Sequence, residues 1–176
     1  SGNSSLYFNT TGFSNAANTA PLPWGDRLFA TWDAGRPVEI DPVTMAFLGE
    51  VGHRADWAPT MDLPVLPMVN STAHPVIDPE RDCLWTVSFN PMMGGLSLIR
   101  YSGDGTHVDR WPVTDGVIPQ SVHTITQTRD WLIVADCAFR VDPGEMFGQE
   151  RTVTTLPDEP VYLIRKDQVA ATPPGQ

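Results

Sequence analysis

The sequence predicts an all-β fold, and three observations support this prediction. The 176 residues include 17 Pro and 14 Gly, which divide the chain into short elements joined by turns. No window of 11 or more residues keeps an apolar stripe at helical spacing without Pro or Gly. Short apolar segments rich in β-branched and aromatic residues recur instead, and these are typical of strands.

One pattern occurs three times along the chain: a polar turn, an apolar strand centred on Leu, and a second strand that ends in a turn. The segments are residues 24–52, 80–113 and 128–169. Aligned on Leu28, Leu84 and Leu132, they recur at intervals of about 50 residues, which is the range expected of propeller blades. The sequence therefore predicts about three blades of antiparallel strands.

Turn signals separate the predicted strands. Residues 102–105, Ser-Gly-Asp-Gly, form a strong hairpin signal, and Asp41-Pro42 and Asp78-Pro79 are further turn starts. Because a propeller ring takes at least four blades, about three cannot close on themselves. We therefore expect residues 1–176 to be a section of a single β-propeller catalytic domain, and an incomplete one.

Composition excludes several classes of partner. The formal net charge is −10, and the 11 Lys and Arg are scattered, so a nucleic-acid partner is disfavoured. No apolar run approaches the roughly 20 residues of a membrane span, and the first residues do not resemble a signal peptide. These features predict a soluble, cytoplasmic protein. Cys83 and Cys137 lack the spacing of a metal site and are interpreted as small buried apolar residues.

Four histidines are available for metal binding or acid–base chemistry: His53, His74, His107 and His123. His107 lies at a hairpin turn and His53 in a polar loop beside a cation, so both are interpreted as surface residues. His74 is held extended by the proline that follows it, and His123 opens a predicted β-run that continues through residue 139. Imidazoles at rigid strand ends can converge on a metal, although ligand type alone leaves Fe, Cu, Zn and Ni open.

The motifs around these histidines resemble a known family. Residues 72–80, TAHPVIDPE, resemble an Ala-His-Pro-x-x-Asp-Pro motif, and residues 121–136, SVHTITQTRDWLIVAD, resemble a His-Asp-Phe-x-x-Thr-Glu-Asn segment and the strand after it. Residues 17–52 and 160–167 resemble flanking hairpins of the same family. In these motifs, and in their order, the chain is similar to the N-terminal to middle portion of the carotenoid cleavage oxygenases.

This resemblance implies a seven-bladed β-propeller with a non-haem Fe(II) on its axis, held by four His. Such enzymes add O₂ across a conjugated C=C bond and release two carbonyl products. His74 matches the first iron ligand and His123 the second. The remainder of the same polypeptide would supply two further His ligands, so this chain alone is expected to be inactive.

The resemblance also implies a role for Asp33, at the position where the family usually has a Glu that orients a ligand His. Asp is shorter by one methylene, so either the backbone approaches more closely or water bridges the gap. A turn Asp that caps its own loop is the alternative interpretation.

Three functions remain open at this stage. Stilbene-cleaving members of the family look to carry a Lys just before the acidic residue, whereas this chain has Trp32, which suits an apolar polyene better. The sequence therefore favours a carotenoid or apocarotenoid substrate, with peripheral membrane contact for substrate uptake left open. The alternatives are a stilbene-cleaving dioxygenase of the same family and a non-catalytic β-propeller binding scaffold.

Overall fold

Three antiparallel β-sheets follow one another along the chain. The computed structural model describes residues 8–9, 12–13, 15, 17–57, 69–90, 95–113, 122–135, 148, 150 and 160–174. In chain order the elements are β1 (Phe8–Asn9), β2 (Gly12–Phe13), β3 (Ala20–Trp24), β4 (Arg27–Thr31), β5 (Val38–Ile40), β6 (Phe47–Glu50), α1 (Arg54–Trp57), β7 (Val76–Asp78), β8 (Cys83–Asn90), β9 (Gly95–Ser102), β10 (Val108–Val113), β11 (Ile125–Gln127), β12 (Trp131–Ala135), β13 (Val161–Arg165) and α2 (Lys166–Ala171).

Within each sheet the strands lie side by side in the order in which the chain visits them. The first sheet is β3-β4-β5-β6, the second is β7-β8-β9-β10 and the third is β11-β12-β13, and a small hairpin of β1 and β2 precedes them. All of these neighbours are antiparallel. Sheets of this kind are the blades of propellers. The predicted all-β class is confirmed for the described residues, in which both helices are short.

The predicted turns lie where the strands reverse. Asp41 Oδ1 accepts hydrogen bonds from the backbone N–H groups two and three residues later, at 2.9 and 2.7 Å, between β5 and β6. Asp78 Oδ1 does the same at 3.2 and 3.3 Å between β7 and β8. The Ser-Gly-Asp-Gly signal begins the hairpin that joins β9 to β10. In each Asp turn a short side chain satisfies backbone donors that the strand ladder leaves free.

Strand β8 contributes side chains to two hydrophobic cores, because its alternate side chains point to opposite faces of the second sheet. Cys83, Trp85 and Val87 face a core shared with the third sheet, and Leu84 faces a core shared with the first. The first core comprises Phe29, Val51, Trp57, Val69, Leu84, Ile99 and Tyr101. The second comprises Cys83, Trp85, Val87, Leu96, Leu98, Trp111, Val122, Ile125, Leu132, Val134 and Val169. The second sheet is thus packed between the other two.

The predicted repeat corresponds to these sheets. Leu28, Leu84 and Leu132 each lie on the second strand of their sheet, in β4, β8 and β12. The strand that precedes each of them, β3, β7 or β11, was not separated from its surroundings by the sequence pattern. The described residues show three blade-like sheets and no closed ring, so the seven-bladed propeller stays an expectation.

Two predicted strand boundaries are wrong. The run from His123 through residue 139 is two strands, because a tight turn forms where the Thr128 N–H donates to the Trp131 carbonyl at 2.9 Å. Residues 136–139 lie outside the described residues. The last predicted strand, extended to residue 169, ends at Arg165, and α2 begins at Lys166, whose side chain is buried between sheets two and three.

Cys83 is a free thiol that is 2% exposed. Burial raises its pKa to about 11, so it is inert near neutral pH, as predicted. Cys137 lies outside the described residues. Among the described helices, none has the length and apolar character needed to cross a membrane.

Candidate metal centre

His74 and His123 lie at matching positions, directly before the first strands of neighbouring sheets. The His74 N–H donates to the His123 carbonyl at 3.2 Å, and the Ile125 N–H donates to the His74 carbonyl at 3.3 Å. These bonds form a parallel bridge between His74 and Thr124. The bridge sets the starts of β7 and β11 side by side. The structure thus brings together the two histidines that the sequence singled out.

The two imidazole rings are close and nearly perpendicular, with centroids 5.0 Å apart and planes at 80°. A metal–nitrogen bond of about 2.1 Å, plus about 1.1 Å from nitrogen to ring centre, places each centroid about 3.2 Å from a shared ion. Two such ligands at about 100° have centroids about 5 Å apart. The observed separation therefore fits two imidazoles at adjacent coordination positions of one ion.

Asp33 faces the same pair of rings from the first sheet. Its carboxylate oxygens lie 2.9 and 3.0 Å from His123 Nδ1. Because a carboxylate only accepts, Nδ1 carries the hydrogen in the neutral ring, and Nε2 keeps a free lone pair on the far side. Metal-ligating histidines commonly donate their second N–H to a carboxylate in this way. The contact is direct, so the shorter Asp side chain needs no bridging water.

Hydrogen bonds hold the loop that carries Asp33 against the segment before His74. They bring the Asp33 carboxylate within hydrogen-bond distance of His123. The Ser71 N–H donates to the Asp33 carbonyl at 2.8 Å, and Ser71 Oγ donates to the Gly35 carbonyl at 2.7 Å. The Ala73 N–H donates to Asp33 Oδ1 at 3.2 Å. The carboxylate is therefore oriented by the backbone beside one histidine while it contacts the other.

Thr72 links the backbones of both histidines. Its hydroxyl donates to the His123 carbonyl at 2.6 Å and accepts from the His74 N–H at 3.3 Å, and the residue is fully buried. Sequence reasoning missed this residue and Ser71. The available signal was a pair of hydroxyl residues directly before the Ala-His-Pro motif, since small hydroxyl side chains readily bond nearby backbone groups.

The site is open on one side. His74 is exposed, and the side chains of His123 and Asp33 are 45% and 40% exposed. No group of three or more His, Cys, Asp or Glu that could hold a metal ion occurs among the described residues. His74 and His123 supply two nitrogen ligands. Asp33 faces Nδ1 of His123, on the opposite side of the ring from the Nε2 lone pair. The residues fit a metal whose remaining ligands come from elsewhere.

The other two histidines lie away from this pair. The His53 N–H donates to Asp56 Oδ2 at 2.7 Å at the start of α1, and the side chain is exposed. The His107 ring is exposed in the β9–β10 hairpin and contacts Thr106. Both positions agree with the surface roles that the sequence predicted.

Trp32 adjoins Asp33, but its polar atom is not available to a ligand. The indole Nε1 is buried and has no hydrogen-bond partner within the described part of the chain. A Cβ added at Gly35 would lie 2.1 Å from this nitrogen, so only glycine leaves room for the indole. Trp32 therefore offers no hydrogen-bond donor to a phenolic oxygen at the site.

Comparison with known proteins locates the chain among oxygenases. A family model described as "Retinal pigment epithelial membrane protein" matches residues 3–171. A 35-residue stretch is 49% identical to a chloroplastic protein of rice (Oryza sativa subsp. japonica) named carotenoid cleavage dioxygenase 7, and it covers 20% of this chain and 6% of that protein.

Solved structures of two oxygenases share the fold. A Glu-to-Asp variant of the Synechocystis apocarotenoid oxygenase matches with a TM-score of 0.58 and 23% identity, over 90% of this chain and 34% of that one. The lignostilbene dioxygenase of Pseudomonas brassicacearum matches with a TM-score of 0.59 and 21% identity, over 86% of this chain and 31% of that one. This chain thus spans about a third of their length. A cobalt-substituted form of the Synechocystis protein matches at a TM-score of 0.56.

Proposed function

The chain belongs to the carotenoid oxygenase family, whose model matches residues 3–171, and from this premise we propose that it is part of a non-haem Fe(II) dioxygenase. The proposed reaction cleaves a conjugated C=C bond of a carotenoid or apocarotenoid with O₂. The C=C and O–O bonds break, two C=O bonds form, and both oxygen atoms enter the products. The balance needs no external reductant.

The observation that carries this proposal is the pairing of His74 with His123. Their ring centroids lie 5.0 Å apart at nearly right angles, and Asp33 contacts the Nδ1 of one ring. Imidazole nitrogens suit a borderline metal such as Fe(II), and the contact with Asp33 orients the His123 ring. The cobalt-substituted form of the Synechocystis relative indicates that that protein binds a metal, which supports the proposal. Two further His ligands are proposed to come from the remainder of the polypeptide.

When bound, the iron would supply the redox chemistry that activates O₂. The described residues would contribute position and tautomer. His74 and His123 would bind the ion through ring nitrogens, Asp33 would keep the hydrogen of His123 on Nδ1, and none of them needs to transfer a proton in the reaction. An apolar substrate would require no charged partner beside the metal, which agrees with the buried indole nitrogen of Trp32.

Metal content provides the direct test. In the protein that contains this chain, His74→Ala should lower iron content well below that of the wild type, because one of the ligands that fix the ion is lost. His107→Ala is the matched control, since that ring lies in an exposed hairpin away from the site and should leave iron content unchanged. Equal iron in the wild type and His74→Ala would refute the assignment.

Stilbene cleavage is the second candidate, because the lignostilbene dioxygenase shares the fold at a TM-score of 0.59. Product analysis with an apocarotenoid and a hydroxystilbene, at equal concentration, separates the two. We expect aldehyde products from the apocarotenoid, since Trp32 offers no donor to a phenolic oxygen. Turnover of the hydroxystilbene alone would reverse the order of the candidates. Iron-loaded protein that cleaves neither would favour a non-catalytic scaffold.

A further inference from the structure

A buried lysine lies at the other end of the two strands that follow the histidines. Lys166 is 1% exposed, and its ammonium donates to Asp78 Oδ2 at 2.8 Å, Gln127 Oε1 at 2.8 Å and the Thr128 carbonyl at 2.9 Å. We call Lys166 with these three acceptors the clamp. Three donors meet three acceptors, so no proton of the ammonium is left unsatisfied.

The clamp and the histidines occupy opposite ends of the same pair of strands. Asp78 is the last residue of β7, four residues after His74, and Gln127 is the last residue of β11, four residues after His123. The histidine ends are joined by the parallel bridge, and the far ends by the clamp. Gln127 adds a second link between the strands, because its Nε2 donates to the Ile77 carbonyl at 2.5 Å.

Stability alone does not account for this arrangement. A buried ion pair is about as stabilising as well-packed apolar residues of similar size, because desolvation offsets much of the attraction. Apolar residues in place of both Lys166 and Asp78 could therefore give comparable stability. What a hydrogen-bonded cation adds is direction, since each acceptor must lie on a defined line from Nζ. The clamp therefore fixes how β7 and β11 lie relative to each other.

A small change in the angle between the strands at the clamp would displace the histidines by a larger distance. Four strand residues span about 13 Å, so a pivot of about 5° at the clamp shifts a histidine by about 1 Å. Functional constellations tolerate only about 0.5 Å. The bonds at the histidine end, two in the bridge and one from the Thr72 hydroxyl, lie close together, so the strands need a second attachment at their far ends to prevent such a pivot.

We propose that Lys166 is a positioning residue for the His74–His123 pair, acting through the ends of β7 and β11. This inference rests on the proposed function for its metal, but the geometry it predicts can be measured without one. Lys166 touches neither ring, so its role is to hold the strands that carry them.

Three variants remove different groups of the clamp. Lys166→Met removes the ammonium and leaves the buried Asp78 carboxylate with Arg81 as its remaining cation, which endangers folding. Lys166→Met combined with Asp78→Asn removes both charges and keeps the Oδ1 acceptor of the turn after β7. Gln127→Met keeps the ion pair and the bond from Lys166 to the Thr128 carbonyl, and it removes the side-chain bonds of Gln127 to Lys166 and to the Ile77 carbonyl. Arg100→Met is the control, because it removes an ion pair to Asp109 within the same sheet, on neither β7 nor β11.

Two readouts are measured on the folded, metal-free protein that contains this chain. Nitrogen NMR of the His123 ring reports whether the hydrogen stays on Nδ1, and titration with Co²⁺ alone reports the affinity of the site. We expect the clamp variants to show a mixture of tautomers and Co²⁺ affinity lowered about tenfold or more. The control should keep the wild-type tautomer and an affinity within about twofold of the wild type, below the smallest effect expected of an outer-shell change.

The outcomes separate the two proposals. Folded clamp variants with the wild-type tautomer and Co²⁺ affinity would overturn the positioning role. If the wild type does not bind Co²⁺, the proposed function fails, and the ring spectrum alone decides on the clamp. If the double variant does not fold, Gln127→Met decides by the same two readouts.

Discussion

The two ends of the β7–β11 pair differ in almost every physical respect. At the histidine end, the side chains of His123 and Asp33 are 45% and 40% exposed. At the clamp end, the side chains of Lys166 and Asp78 are 1% and 3% exposed and joined by a 2.8 Å ion pair. One end keeps ring nitrogens free for an added ligand. The other has its charges enclosed and paired.

This difference shows how a sheet can hold an open site rigid. Side chains that must accept a metal and further ligands cannot be enclosed by their own sheet, so little packing fixes them locally. Rigid elements beneath a site supply that precision instead. Here the fully hydrogen-bonded clamp lies where burial is available, and the strands connect it to the exposed rings.

The largest expected effect comes from removing the lysine of the clamp. Lys166→Met should lower the free energy of unfolding by about 1–3 kcal/mol, because the buried Asp78 loses its closest cation and keeps only Arg81, at 3.1 Å. Urea denaturation measures it. Arg129→Met is the control, since Arg129 pairs with Asp130 at the exposed surface and should cause no measurable change. Equal denaturation midpoints for both variants would mean that Asp78 tolerates the loss of the lysine ammonium.

A smaller effect is expected on the stability of the protein at low pH. Burial alone would raise the pKa of Asp78, but the hydrogen bond and charge of Lys166, together with Arg81, outweigh it and hold this pKa below its usual value. The unfolded chain therefore takes up the proton first, as pH falls below about 4. The stabilisation is present above that pH and is lost as pH falls towards the folded pKa.

Urea midpoints measured between about pH 5 and pH 2.5 test this, across the range in which Asp titrates. The wild type should lose more stability over that range than Asp78→Asn, in which the group cannot titrate. Parallel profiles for the two proteins would show that Asp78 does not contribute to the acid sensitivity.

The smallest expected effect concerns the open end. Asp33→Asn should weaken Co²⁺ binding about tenfold, because an amide orients and polarises the His123 ring less well than a carboxylate. Unfolding should change little, since the carboxylate is 40% exposed. Titration calorimetry measures the affinity, with Asp130→Asn as a control that alters an exposed acid whose side chain pairs with Arg129. Unchanged affinity in Asp33→Asn would remove Asp33 from the site.

Much of the fold could be predicted from the sequence because strand and turn signals are local. Leu28, Leu84 and Leu132 mark a repeat that the three sheets reproduce, and Asp41 and Asp78 turn the chain through their own neighbouring backbone. The short first strands escaped notice, because three residues such as those of β7 and β11 carry too little alternation to stand out.

The site was predictable only in part. His74, His123 and Asp33 were found from motifs, and the structure brings them into contact. Lys166 was not found, because in a strand pattern a lysine reads as a solvent-facing residue. Its burial depends on acceptors from two other sheet elements. Thr72 escaped for a similar reason, since its partners are backbone groups of residues that only the fold brings together.

The contact between Lys166 and Asp78 spans 88 residues of sequence, and this has a consequence for the order of folding. Closing so long a loop costs more entropy than forming any hairpin, so such contacts form late. During synthesis from the N-terminus, β7 and its histidine emerge long before the lysine does. We therefore expect the two rings to reach their final separation only when β13 and α2 have docked, later than the hairpins of the three sheets form.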